Sequence, residues 1–277
     1  MAVYKIMALK ITAYLSKKET KRQAVMSFVK GLQQHGHKVN LRSEKNPEPA
    51  ELAIVFSHLK DRHHRIDYMT HSVGGRVLVI SAGILINQGY TCGWDDINGC
   101  ADFLNQHSPA DRWEKMGRQI KPWRKEGEVL LIAGQVPADS SVESIDIRQW
   151  YHDIIKILRY RKKEQAIAFR PHPLSKESPY LPGIEQRGSS LFENALFNVK
   201  AVVSWNSSSA ALSILEGVPV YTLDKHSIAW TISEHNLLNE PIRPQREQWA
   251  YDLAYSQWSE SEIRMGECWA HLKAGLP

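Results

Sequence analysis

Short apolar runs alternate with amphipathic stretches along most of the chain. Residues 4–15, rich in Ile, Leu and Tyr, predict a first strand. Residues 17–34 place Ala24, Val25, Phe28, Val29 and Leu32 at helical spacing, and Gly36 would end that helix. Residues 37–41 predict a short strand, and Asn46, Pro47 and Pro49 mark a turn. Residues 52–56 (LAIVF) read as a buried strand ending in Ser57 and His58, with a polar, His-rich helix after it through Tyr68. Residues 76–81 (RVLVIS) form another buried strand. This β-α-β-β-α-β order predicts a largely parallel sheet wrapped by helices.

Residues 83–107 break the pattern. They hold Gly83, Gly89, Gly93 and Gly99, with Tyr90, Trp94, Asp95, Asp96 and Asn98 between them, and predict a long functional loop. A helix follows over 111–120, and Pro122-Trp123 marks the crossing to a second domain. There the alternation resumes: strand 129–133, helix 141–160, strand 165–169, helix 190–196, strand 201–204, helix 207–215 and strand 218–223. Residues 245–272 predict a Trp-rich helical tail whose Trp249, Leu253, Trp258, Ile263 and Trp269 pack as core and dock one domain on the other. The fold class expected is α/β, with two Rossmann-like domains whose parallel sheets face a central cleft. The domains would span 1–122 and 123–245, with 246–277 crossing back.

Three strand ends of the second half carry polar clusters. The first is Gln135, Asp139 and Ser140 after VLLIA. The second is Arg170-Pro171-His172-Pro173 after QAIAF. The third is Ser204, Asn206, Ser207, Ser208 and Ser209, opening a helix with Glu216 near its end. In a parallel sheet these loops share one edge, where open α/β sheets bind ligands. Arg170 suits bidentate phosphate binding. The prolines beside His172 restrict its backbone and aim the imidazole. Hydroxyls and free N–H groups at 207–209 suit an anion. Glu216 suits ribose hydroxyls. Each residue also suits a plain structural duty: Asp139 and Ser207 as caps, His172 in a turn, Glu216 on a solvated helix end before Gly217.

Composition narrows the class. Hydrophobic residues make up 43% and charged residues 23% of the 277, ordinary for a globular chain. No apolar run reaches the roughly 18 to 20 residues that span a bilayer, and the start reads as a strand rather than a signal peptide. Cys92, Cys100 and Cys268 form no CxxC pair, which argues against a zinc site or disulfide framework and fits a reducing cytoplasm. Residues 1–125 carry 20 Lys/Arg against 11 Asp/Glu, and residues 126–277 carry 15 against 19. The basic half suggests an anionic partner, or simply a solvated surface.

The set GQVPADSSV, FRPHP and SWNSSSAALSILEGVPVYTL resembles the capsule polysaccharide synthesis family, which includes bacterial Kdo transferases with a GT-B-like fold. Order and spacing match over residues 128–224, and more loosely to Trp269. The first half departs from that family, so donor and acceptor do not carry over. The stretch GWDDINGCADF resembles a GWDGLNGRADF-like segment of phage-encoded relatives. The resemblance implies glycosyl transfer from a nucleotide sugar, CMP- or UDP-linked. Asp139 would act at the reacting carbon, as nucleophile or base. Arg170, His172 and Ser207–Ser209 would hold the nucleotide phosphate, with Gln135 and Ser140 in the same donor site and Glu216 near the nucleotide. Asp95 and Asn98 are candidate acceptor contacts. No cofactor or metal cluster is visible in the sequence, so metal-independent transfer is expected. The acceptor would be DNA with hydroxymethylated bases or an anionic glycan. The alternatives are a non-catalytic nucleic-acid-binding scaffold of the same fold and a sugar-nucleotide epimerase.

Overall fold

The computed structural model describes residues 9–276 apart from Leu59, Ala138, Lys162, Glu164, Ser189, Ser190 and the side chains of residues 60–62. In chain order the first elements are β1 (Ile11–Leu15), α1 (Glu19–Gln34), β2 (Val39–Ser43), β3 (Leu52–Phe56), α2 (Lys60–His71), β4 (Arg76–Ala82), β5 (Tyr90–Trp94) and α3 (Asp111–Lys115). Then come β6 (Val129–Ala133), α4 (Ile147–Arg161), β7 (Ala166–Arg170), β8 (Glu185–Gln186), α5 (Phe192–Ala195), β9 (Val199–Ser204), α6 (Ser209–Leu215) and β10 (Val220–Thr222). The chain ends with α7 (Glu247–Tyr255), β11 (Gln257–Trp258), α8 (Glu260–Arg264) and α9 (Glu267–Leu272). Among the described residues no helix is long and apolar enough to cross a membrane.

The chain divides into two compact units. The first comprises Met1–Ile97, Ala101–Pro109 and Asp252–Pro277. Its sheet has the order β11-β5-β4-β3-β1-β2, parallel from β4 to β2 and antiparallel at β5 and β11. Ile11, Leu52, Ile54, Leu78 and Ile80 pack with Phe28 and Leu32 of α1 and with Trp258, Ile263 and Trp269 of the tail. The helical stripe of α1 thus lands where its spacing predicts. Gly31 lets the tail close on α1, since a Cβ there would stand 2.2 Å from the Ile263 carbonyl oxygen.

Two expectations fail in this unit. The predicted loop 83–107 contains β5, paired with β4 at Ile80↔Cys92, and the predicted tail helix is interrupted by β11, paired with β5 at Gln257↔Thr91. β5 is the return strand of a hairpin with β4, its glycines masking the strand pattern, whereas β11 exists only through a partner some 166 positions away, which local pattern does not reveal. After the break α8 restarts on a capping box, Ser259 with Glu262. Residues 4–8 of the expected first strand lie outside the described residues.

The second unit comprises Asn98–Cys100 and Ala110–Tyr251. Its five strands run parallel in the order β10-β9-β6-β7-β8, with β6 central. Leu130 and Ile132 pack with Tyr151, Ile154 and Leu158 of α4 on one face. Leu131 and Ala133 pack with Ala210 and Ile214 of α6 on the other. The expected helix over 141–160 is two pieces: a 3-10 turn, Ser140–Val142, and then α4 from Ile147. Each has its own carboxylate cap. Asp139 accepts from the Ser141 N–H at 3.0 Å, and Asp146 accepts from those of Arg148 and Gln149 at 3.0 and 3.1 Å. The helix expected over 190–196 is α5; Ser190 lies outside the described residues.

Candidate active site

Parallel pairing in the second unit brings the loops after β10, β9, β6 and β7 to one edge of the sheet. At the centre, β6 ends in Gly134. Its N–H donates to the Arg170 carbonyl at 2.8 Å. A Cβ on Gly134 would stand 2.7 Å from that oxygen and 3.0 Å from the His172 nitrogen. Only a residue without a side chain allows the β6 and β7 loops to lie this close, which explains the Gly of GQV.

Gln135 fastens the β6 loop from within. It is 6% exposed. Its backbone N–H donates to the Tyr151 hydroxyl at 2.7 Å, its Nε2 donates to Asn206 Oδ1 at 2.8 Å, and its Oε1 accepts from the Asn206 N–H at 3.2 Å. Burial pushes the Tyr151 hydroxyl up to about 12, against the opposing effect of its Gln135 backbone bond, so it stays protonated. The Gln135 amide is therefore turned to Asn206 and Ser141, holding the loop in place. Asn206 in turn donates to the Ser141 carbonyl at 2.6 Å and to Asp224 Oδ2 at 2.7 Å. Asp224, just past β10, also holds His226, with Nδ1 2.7 Å from its Oδ1. One hydrogen-bonded chain thus ties the loops of β6, β9 and β10.

Asp139 is exposed and caps the 3-10 turn through the Ser141 N–H. His172 is half-buried between Pro171 and Pro173, and its Nδ1 accepts the Leu174 N–H at 3.1 Å. Its imidazole is held below the usual histidine range, first by burial and then by the Arg170 charge, with Asp139 pulling the other way. His172 is therefore neutral at pH 7, with its proton on Nε2. Arg170 and Asp139 thus act on its charge in opposite senses. Arg170 itself is 8% exposed and lies 5.0 Å over the Phe192 ring. Burial opposes its charge and Glu193 supports it.

Ser207 and Ser209 meet through their hydroxyls at 2.8 Å, Ser208 is exposed at the start of α6, and Ser140 lies in the 3-10 turn. Glu216 is not at this edge. It terminates α6, which returns antiparallel to the strands, so about 10 Å of helix separates it from Ser209. Its carboxylate pairs with Lys121. Asp95 lies in the first unit, where its carboxylate holds Arg76 at 2.7 Å and the Val77 N–H at 2.9 Å. Asn98 is half-buried in a 3-10 turn with φ of 53°. The candidates at the edge are thus Gln135, Asp139, Ser140, Arg170, His172 and Ser207–Ser209. Sequence reading missed Asp224 and His226; their signal is the polar pair in LDKH directly after the strand VPVYT.

Two α/β units, each built on a sheet dominated by parallel strands, define a GT-B-like fold. Among solved structures, the chain is similar to the beta Kdo 2,7 transferase of Thermosulfurimonas dismutans KpsC, at 16% identity and a TM-score of 0.58, over 88% of this chain and 89% of that one. It is similar to the beta Kdo 2,4 transferase of the same KpsC at 10% identity and a TM-score of 0.60, over 88% and 90%. The likeness is one of fold. No protein-family model matches the sequence, and no curated protein matches it.

Proposed function

We propose that this protein is a glycosyltransferase that moves a sugar from a nucleotide-sugar donor, CMP- or UDP-linked, to a hydroxyl acceptor. The observation that carries the reading is a single sheet edge, built by adjacent β6 and β7, that bears a carboxylate, Asp139, an Nε2–H imidazole, His172, and a buried guanidinium, Arg170. The fold likeness to two sugar transferases supports it. Asp139 would attack the anomeric carbon or take the acceptor proton. His172 would donate from Nε2 to the departing phosphate, in the positive potential of Arg170, with the hydroxyls of Ser207 and Ser209 at the same sheet edge. The acceptor would be an anionic glycan or DNA carrying hydroxymethylated bases. Of the tail tryptophans, Trp258 and Trp269 are each 2% exposed and closed to base stacking, and Trp249 is half-buried with its Nε1 donating to the Ile228 carbonyl at 3.1 Å.

Asp139→Asn tests the reading. With a donor found by nucleotide-sugar screening, turnover should fall by about 10³-fold or more, while the nucleotide dissociation constant changes by less than about threefold. Unchanged turnover would refute it.

A further inference from the structure

Two histidines at this edge are held in opposite protonation patterns. His172 accepts at Nδ1 and so carries its proton on Nε2. His226 is the reverse. Its Nδ1 lies 2.7 Å from Asp224 Oδ1, and because a carboxylate accepts, that nitrogen bears the proton. The lone pair is left on Nε2, which makes no hydrogen bond among the described residues, and the side chain is 32% exposed. Asp224 is 9% exposed and is itself fixed by Asn206 Nδ2 at 2.7 Å and the His226 N–H at 3.3 Å. A buried carboxylate that orients an imidazole and leaves its outer nitrogen basic is the arrangement of a general base with its positioning partner. The Cys100 thiol, on a short turn of the same unit, lies within 4.8 Å of a His226 ring nitrogen.

We propose that His226 is the base of the transfer reaction, with Asp224 as its positioning residue; this rests on the glycosyltransferase reading above. In the step that makes product, the acceptor oxygen bonds to the anomeric carbon and its proton passes to His226 Nε2. The bond from that carbon to its previous oxygen partner breaks, and the electron pair stays on the departing oxygen. Asp139 is then free to act on the carbon itself, and His172 to donate. The layout suits this division. β9 separates β6 from β10, so the loops carrying Asp139 and His226 start roughly 10 Å apart. A gap of that order leaves room for an incoming oxygen between two reacting groups. Asn206 bridges it from below, bonded to both Ser141 and Asp224.

The test compares the full-length wild type with His226→Ala, His226→Gln and Asp224→Asn under one donor and acceptor. Transfer kcat should fall about 10²- to 10⁴-fold in all three, with donor KM moving less than about threefold. Added imidazole should restore His226→Ala by at least about tenfold and leave Asp139→Asn unrestored. Wild-type rates in His226→Ala and His226→Gln, or no rescue of a folded, nucleotide-binding His226→Ala, would overturn the assignment alone. A wild type that transfers no sugar from any donor would instead remove the glycosyltransferase reading beneath it.

Discussion

Asn206 shows how much of the edge depends on one side chain. Its amide nitrogen holds the Ser141 carbonyl and the Asp224 carboxylate, and its oxygen holds Gln135. Asn206→Leu would strand the buried polar groups of Gln135 and Asp224, each costing about 1–3 kcal/mol. A loss on the order of 3 kcal/mol is expected, seen as a lower denaturant midpoint at unchanged slope. His172 predicts a pH effect. Its folded pKa lies below the unfolded value of about 6.5, so the unfolded chain binds the extra proton first. Stability should be at its plateau above about pH 6.5 and decline as pH falls toward the folded pKa. His172→Gln should flatten that decline, as urea titrations between pH 5 and 8 would show. At this scale the residue types were legible and their duties less so. Gln135 reads as a ligand contact in sequence, yet its amide faces Asn206, a partner 71 positions away. Asp95 and Glu216 read as site carboxylates, yet they hold Arg76 and Lys121.

Elements followed local pattern wherever local pattern was what stabilises them. The stripe of α1 and the apolar runs of β3, β4, β6 and β9 were visible because burial on both faces needs continuous apolar sequence. Helix starts were less visible. The Asp139 and Asp146 carboxylates cap two separate turns within eight residues, and either could open a helix in sequence. Asp146→Ala should destabilise the protein by about 1 kcal/mol by uncapping α4. Asp139→Asn can keep its cap oxygen, which makes it the cleaner variant for chemistry. An equal loss of stability in both would contradict this separation, and thermal unfolding would reveal it.

For the whole molecule, the charge excess of residues 1–125 bears on the acceptor. If the acceptor is duplex DNA, log affinity should fall linearly with log salt, with a slope of about −0.9 per phosphate neutralised. A much shallower fall would remove DNA and leave the anionic glycan, and a flat response would remove both. Sequence by itself determined the α/β alternation, the two-part chain and the three polar strand ends, because periodicity and strand-end chemistry are local properties. Tertiary structure alone decided which of those polar groups converge. Parallel pairing of β10, β9, β6 and β7 brought Asp224 and His226 to the same sheet edge as Asp139 and His172, and helix direction carried Glu216 away. Those outcomes depend on strand order and chain direction, which no short stretch of residues encodes.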